Sequence, residues 1–333
     1  MSVEVEKWPL RVPFRITGCT MVDLDVVVVT LEHNGYTGRG EAAGVDYLND
    51  DIPGMVKQIE GLRPAIEAGC DRNALQELLP PGGARNALDC ALWDLEAREA
   101  GQAVWQIAGL EEPRPLLTTY TLGAETPTTM ANGAKAFADA QAIKLKLTGE
   151  ASDADRVRAV REVRPDVWLG VDANRGFTVE HLQDLLPVLT QARVQLIEQP
   201  FAVGTEPEMA RLSSPIPIAA DESVQSLADI PRLLGRFDTI NIKLDKCGGL
   251  TEGLAMAREA QRVGLSVMVG NMVGTSLAMA PAFLLGQLCQ VVDLDGPILL
   301  RDDRPQAAVY QNGRIWCAED VWGGASAASR YSR

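Results

Sequence analysis

Apolar and polar positions change rhythm twice along the chain. Near the start, Val26-Val-Val-Val-Thr-Leu31 is a β-branched run, and His33-Asn-Gly-Tyr-Thr-Gly38 places an Asn-Gly turn before Arg39-Gly-Glu41. Together these predict a β-hairpin, because Asn-Gly suits the tight turns whose twist matches paired strands. From Ile52 the apolar spacing turns helical, Leu75 to Leu79 continue it, and Pro80-Pro-Gly-Gly83 breaks it. Ala84 to Ala100 then reads as a helix with Leu88, Leu92 and Leu95 on one face, ended by Gly101. Strands followed by helices predict an α+β unit.

After Pro113 and Pro115, short apolar runs ending in a polar residue alternate with longer helical stretches. The runs are Leu117–Thr121, Ile143–Leu147, Val167–Asp172, Val194–Gln199, Ile216–Asp221, Thr239–Lys243, Leu265–Gly270 and Val291–Asp295. Their polar ends recur every ~22 to 27 residues, about one βα unit of an eightfold barrel. Thr178–Leu186 and Leu250–Arg258 fit crossover helices. An open doubly wound sheet competes, but it usually carries a Gly-rich phosphate turn after its first strand, and none is found here. The expected fold is therefore α/β, a TIM-like barrel over residues 113–304 with an α+β capping domain over 1–112. The segment 305–333 lacks the barrel rhythm and is expected to return to the cap.

Composition narrows the partners. A formal net charge of −14 over 333 residues argues against nucleic acid or an anionic membrane. The six cysteines are scattered without a C-x-x-C pair, which suits reduced thiols and not a disulfide framework or zinc site. The N-terminus lacks an apolar signal core, and no segment approaches the apolar length of a membrane span. A cytoplasmic enzyme with a small-molecule substrate is expected; self-association into a homo-oligomer stays open.

The chemistry starts from Ala142-Ile-Lys-Leu-Lys-Leu147, where Lys144 and Lys146 sit two apart in an apolar run. Residues two apart in a strand share a face, so both ammonium groups enter one interior and need compensating partners. Residues at the C-terminal ends of barrel strands converge on the active site. Here those ends supply Lys146, Asp172, Glu198, Asp221 and Lys243, then Asp293 and Asp295. Taken singly, an Asp after a strand is more often a helix N-cap than a ligand; it is the succession that points to a site. Three converging carboxylates repel unless a cation joins them, and oxygen-only donors select Mg²⁺ first and Mn²⁺ second. Such a cation stabilises the charge that develops when an α-proton leaves. Burial and the positive charge of Lys144 and the metal are expected to lower the pKa of Lys146 toward that of a base. Two lysines on opposite faces suit a racemase or epimerase; a single working lysine would suit syn elimination or lactone chemistry. A non-catalytic barrel that binds cationic peptides is the reading from another class.

The pattern Lys144-x-Lys146, Asp172-Ala-Asn174, Glu198-Gln-Pro200, Asp221-Glu-Ser223 and Asn241-Ile-Lys-Leu-Asp-Lys-Cys-Gly-Gly249 resembles the muconate-lactonizing subgroup of the enolase superfamily. Within it the chain is most similar to dipeptide epimerases of the L-Ala-D/L-Glu type. Ala84–Leu95 and Asp293-Leu-Asp-Gly-Pro297 are similar too, and the resemblance runs over nearly the whole chain. It implies a (β/α)₇β barrel capped by both termini, metal ligands Asp172, Glu198 and Asp221, and Lys146 and Lys243 as a two-base pair. The implied reaction inverts the α-carbon of a dipeptide's C-terminal residue by 1,1-proton transfer through an enolate. Lys144 would support Lys146 and the substrate carboxylate, Asn174 and Glu222 would stand behind the metal ligands, and Asp293 and Asp295 would take the dipeptide's α-ammonium group.

Two departures bear on the substrate. The loop Phe14–Val22 is expected to cover the barrel mouth, and Met21 stands where glutamate-specific members carry an arginine. Arg15 is the candidate to supply that charge from a shifted position. The run Gly270-Asn-Met-Val-Gly-Thr-Ser276 is similar to N-acetyl-D-glutamate racemases, so an N-acyl amino acid is the alternative substrate, with o-succinylbenzoate synthesis and cycloisomerisation as further alternatives. An N-acyl substrate has no ammonium for Asp293 and Asp295, which weighs against it. His-dependent dehydration is disfavoured, since His33 and His181 lie away from every strand end.

Overall fold

The computed structural model describes residues 1–325. Its first layer is an antiparallel sheet of β1 (Ser2–Ile16), β2 (Cys19–His33) and β3 (Tyr36–Ala42), in that order. The Asn34-Gly35 turn joins β2 to β3, as expected, with both residues at positive φ. The sequence did not reveal β1, because Pro9 and Pro13 interrupt it. Proline is tolerated there because β1 is an edge strand, and the register shifts between Pro9 and Phe14. The expected loop over Phe14–Val22 is thus the tip of the β1–β2 hairpin.

The Val26–Leu31 run is unalternated because β2 is buried on both faces. Val26 and Val28 join the main core, whereas Val27, Val29 and Leu31 pack into a separate cap cluster with Met55, Ile59 and Leu75. Three helices, Ile52–Gly61, Arg63–Glu67 and Arg72–Leu78, complete that cluster. The helix Gly83–Ala100 lies so close to β3 that a Cβ on Gly40 would come within 2.1 Å of the Ala87 carbonyl. Here the expected one-faced burial fails: Leu92 and Leu95 are half-exposed, while the polar Arg85, Asp89 and Asp94 are buried. Those side chains bind backbone elsewhere. Arg85 donates to the Cys247 and Gly248 carbonyls, Asp89 accepts from Thr251 N, and Asp94 accepts from Arg39 N and Gly323 N. The helix is a tie between cap and barrel, which its alanine-rich pattern does not disclose.

The barrel follows. The run 117–121 is split between two sheets: β4 (Leu116–Leu117) belongs to one, and β5 (Thr119–Leu122) opens the barrel. Parallel strands β6 (Ala142–Lys146), β7 (Trp168–Asp172), β8 (Leu196–Glu198), β9 (Ile218–Ala220), β10 (Thr239–Ile242), β11 (Ser266–Val269) and β12 (Val291–Val292) continue it in sequence order. The expected crossover helices are Val179–Gln191, N-capped by the Thr178 hydroxyl, and Leu250–Arg262. Among the described residues no backbone ladder joins β12 to β5. Side chains close that seam instead. Thr119 donates its hydroxyl to Asp293, Thr121 N donates to Asp295 Oδ2 at 2.6 Å, and Leu294 N donates to the Thr118 hydroxyl at 2.9 Å.

Beyond the barrel, β13 (Val309–Gln311) pairs with β14 (Arg314–Trp316), which pairs in turn with β4. The chain then reaches the cap, where Trp322 Nε1 donates to the Arg39 carbonyl. The rest of the returning segment, 326–333, lies outside the described residues. All six cysteines are free thiols. No helix among the described residues is long and apolar enough to cross a membrane.

Candidate active site

Strand alternation puts Lys144 and Lys146 on the inner face of β6, where both are buried. Lys146 Nζ lies 2.6 Å from Asp172 Oδ2 at the end of β7. Across the barrel, four strands on, Lys243 follows β10 and lies 2.7 Å from Asp221 Oδ2, just after β9. Glu198, at the end of β8, stands between, accepting from Asn241 Nδ2 at 2.8 Å. The register explains the convergence, since Lys146 pairs with Asp172 and Asp172 with Glu198 across adjacent strands.

Lys144 is a close neighbour of Lys146, since the two ammonium groups share Asp172 Oδ2, and it has further partners besides. Its ammonium pairs closely with Asp293 and lies 3.3 Å from Glu198 and 3.6 Å from Asp172. Burial works against that charge, but these three carboxylates outweigh it and push the Lys144 pKa well up. Lys243 is raised in the same way, burial being outweighed chiefly by Asp221 and Glu198. These carboxylates balance the lysines; they do not leave them competing with one another.

Asp172, Glu198 and Asp221 each offer an oxygen within 4.8 Å of the others, and all three are buried. Their environments differ. For Asp221, burial is outweighed by Lys243 and Lys246 and the pKa falls; for Asp172, by Lys146 and Lys144. Glu198 is pushed up to about 8 by burial and by Asp172. The lysines therefore leave the third carboxylate undercompensated, and an added cation would correct that. Asn174 Oδ1, Glu222 Oε2 and Asn241 Oδ1 are buried nearby without hydrogen-bond partners. An all-oxygen donor set with unmet polar atoms around it fits a hard, hydrated divalent cation.

A cavity of ≈ 480 Å³ opens above these strand ends. Lys146, Lys243, Asp221, Glu222 and Asn174 line it from the barrel. Phe14, Ile16, Met21 and Leu24 line it from the cap hairpin, whose tip is seated by the Thr17 hydroxyl donating to the Leu147 and Ala173 carbonyls. Met21 is therefore at the cavity, opposite Phe14 in the hairpin register. Arg15 is not. Alternation turns it to the other side of β1, where it pairs with Glu150 at 3.5 Å in a surface depression that adjoins the cavity across Ile16 to Cys19. Asp293 and Asp295 are buried below the cavity lining and engaged at the seam, and burial together with Asp293 pushes Asp295 up to about 6. Asn271 donates to the Asp293 carbonyl, and Met272 and Val273 join the cavity wall.

Sequence reasoning missed three contributors. Lys246 is fully buried and donates to Asp221 Oδ1 and the Asp221 carbonyl, both at 2.5 Å, and to the Asn241 carbonyl at 3.0 Å. Its signal was the i,i+3 spacing from Lys243 in the single helical turn Leu244–Cys247. Tyr47 reaches the cavity from the short loop after β3, and Arg175 from the loop after β7. No pattern in the sequence marks either one.

The sequence matches two family models. Residues 1–109 match the mandelate racemase / muconate lactonizing enzyme N-terminal domain, and residues 129–320 the enolase C-terminal domain-like family. The chain is 38% identical over 317 residues to an L-Ala-D/L-Glu epimerase of Escherichia coli (strain K12), covering 95% of this chain and 98% of that one. It is 36% identical over 315 residues to an N-acetyl-D-glutamate racemase of a Pseudoalteromonas species, covering 92% and 98%. Among solved structures it resembles an enolase family member from Agrobacterium tumefaciens with homology to dipeptide epimerases, holding sodium and L-Ala-L-Glu, with a TM-score of 0.94 and 41% identity over 97% of this chain and 99% of that one. Capping sheet, barrel and strand-end carboxylates thus agree with the sequence match over nearly the full length: the chain belongs to the mandelate racemase / muconate lactonizing enzyme family of the enolase superfamily.

Proposed function

We propose that this chain is a Mg²⁺-dependent dipeptide epimerase that inverts the α-carbon of the C-terminal residue by two-base 1,1-proton transfer. One observation carries the reading: Lys146 and Lys243 approach one cavity from strands on opposite sides of the barrel, with Asp172, Glu198 and Asp221 between them. In this reading Lys146 Nζ and Lys243 Nζ face opposite sides of the α-carbon. One removes the α-proton and the other returns one from the opposite face. Asp172, Glu198 and Asp221 would hold Mg²⁺, with Mn²⁺ as the substitute, and Asn174 and Glu222 would orient water around it. A bound cation supplies Lewis-acid stabilisation of negative charge on the substrate carboxylate.

Both lysines are paired with carboxylates, so the one that acts as base must first release a proton, while the other keeps its proton to donate to the opposite face. Lys144 keeps Asp293 compensated and holds the carboxylate edge in place. Asp293 and Asp295 supply negative charge toward the substrate's α-ammonium. The cap, within 1–112, forms one wall of the cavity through Met21 and its neighbours, while the barrel, 113–304, carries the proton-transfer groups. A cytoplasmic location and a role free of nucleic acid or membrane complete the proposal.

A second reading, racemisation of an N-acyl amino acid, is favoured by one feature. Lys144 and Thr119 already meet the charge of Asp293, which lowers the penalty for a substrate without an ammonium group. A panel of dipeptides beside N-acyl amino acids, run in deuterium oxide, separates the two by which class acquires deuterium at the α-carbon. Lys146→Ala and Lys243→Ala are each expected to cost at least about 10²-fold in rate. Full activity in either variant sinks the two-base reading.

A further inference from the structure

We infer that Arg175 is the residue that recognises the substrate's side chain, and that the chain prefers an inverted residue bearing a side-chain carboxylate of glutamate-like reach. The inference rests on the epimerase or racemase reading of the site. Three cationic side chains line the cavity: Lys146, Lys243 and Arg175. The two lysines are committed to Asp172 and Asp221 at hydrogen-bond distance. Arg175 is ion-paired through its Nε edge alone. Its Nε is 3.2 Å from Glu222 Oε1, and its terminal guanidinium nitrogens have no hydrogen-bond partner among the described residues. The side chain remains 38% exposed, open to the cavity and its entrance.

The surroundings hold that guanidinium ready. The Tyr47 ring lies 4.9 Å from it, so the cap loop stacks against the charge and limits its motion. Arg175 adopts φ 68 and Asn174 φ 42, a left-handed pair without glycine, fixed by Arg175 N donating to the Gln199 carbonyl at 2.9 Å. The hairpin face of the cavity carries no cation, since Phe14, Ile16 and Met21 present carbon and sulfur, Asp46 beside Tyr47 is the cap's one charged lining residue among the described residues, and Arg15 is turned onto Glu150. An aliphatic stem can lie along Met21, while a terminal carboxylate meets the only guanidinium lining the cavity among the described residues. The planar fork suits a carboxylate bidentately, which an ammonium cannot reproduce. Met21 thus does not make the cavity wholly apolar: the charge enters from the barrel loop.

The test compares L-Ala-L-Glu with the near-isosteric, uncharged L-Ala-L-Gln and with L-Ala-L-Leu, in wild type, Arg175→Gln and Arg175→Lys. Wild type is expected to favour Glu over Gln by at least about tenfold in kcat/KM. Arg175→Gln is expected to bring that ratio close to one, mainly through KM for the acidic substrate, with Arg175→Lys intermediate. Should the glutamine variant fail to fold, the lysine variant carries the same comparison. Wild-type preference for Leu or Gln overturns the inference, as does a Glu-to-Gln ratio unchanged by either substitution. A loss on L-Ala-L-Leu equal to that on L-Ala-L-Glu also overturns it, because it marks a structural role. Turnover of N-acetyl-glutamate without any dipeptide overturns the dipeptide reading alone, and the ratio of N-acetyl-glutamate to N-acetyl-glutamine then judges Arg175. A wild type inactive on both classes overturns both.

Discussion

Replacing Lys246 by methionine separates the charge of a buried lysine from its volume. The ammonium satisfies the Asp221 and Asn241 carbonyls and Asp221 Oδ1, all in the interior. Methionine fills similar space but donates nothing, so two carbonyls and one carboxylate oxygen lose a donor together. Breaking a buried pair in this way costs about 3–5 kcal/mol. With an unfolding entropy of about 2.1 cal/mol/K per residue, the loss corresponds to a melting temperature lower by roughly 4–7 °C. The assay is thermal unfolding by calorimetry, in EDTA and in millimolar Mg²⁺. Because Asp221 then keeps Lys243 alone as a counter-charge, a cation bound only by the folded state should restore part of the loss, and the gap to wild type should narrow in Mg²⁺. A variant melting within about 1 °C of wild type in EDTA would refute the reasoning, since buried groups of this kind are not lost without cost.

Arg15→Ala should change KM less than about twofold, because an exposed ion pair with Glu150 contributes little and faces away from the cavity; a tenfold rise would place Arg15 at the substrate. Asp245 accepts from Ala43 N and Gly44 N through the same oxygen, and burial pushes its pKa up to about 7. A carboxyl whose folded pKa is raised keeps a proton that the unfolded chain releases. Its stabilising share is complete below its ordinary pKa near 4 and is lost as pH rises to about 7. Asp245→Asn retains the accepting oxygen without titrating. Relative to wild type, it should gain stability between pH 5 and pH 8, by a few kcal/mol in denaturant melts; a gap independent of pH would contradict the assignment.

Much of this architecture is legible along the chain, for a physical reason. Strands buried on both faces leave short unalternated apolar runs, and the residue at each exit faces the barrel mouth, so Lys146, Asp172, Glu198, Asp221 and Lys243 can be read in order. What escapes has equally specific causes. Pro9 and Pro13 disguise β1 because a central strand could not hold them, although an edge strand can. Mistaking the hairpin for a loop removed the alternation that turns Arg15 outward and Met21 inward. The helix Gly83–Ala100 buries polar side chains whose partners are distant backbone atoms, which no local periodicity encodes. Tyr47 and Arg175 meet only because two separate loops end at one cavity.

The seam between β5 and β12 has a consequence for how such chains diverge. Asp293 and Asp295 fasten the two ends of the sheet through Thr119 and Thr121, and Asp293 also neutralises Lys144. Under the proposed function these carboxylates would answer to two selective pressures, one from the ligand and one from topology. A lineage that abandoned ammonium-bearing substrates would still need a latch at this joint and would tend to keep the pair. Retention of the two aspartates is for that reason a poor marker of substrate, whereas their loss, accompanied by a new closure of the seam, would be informative.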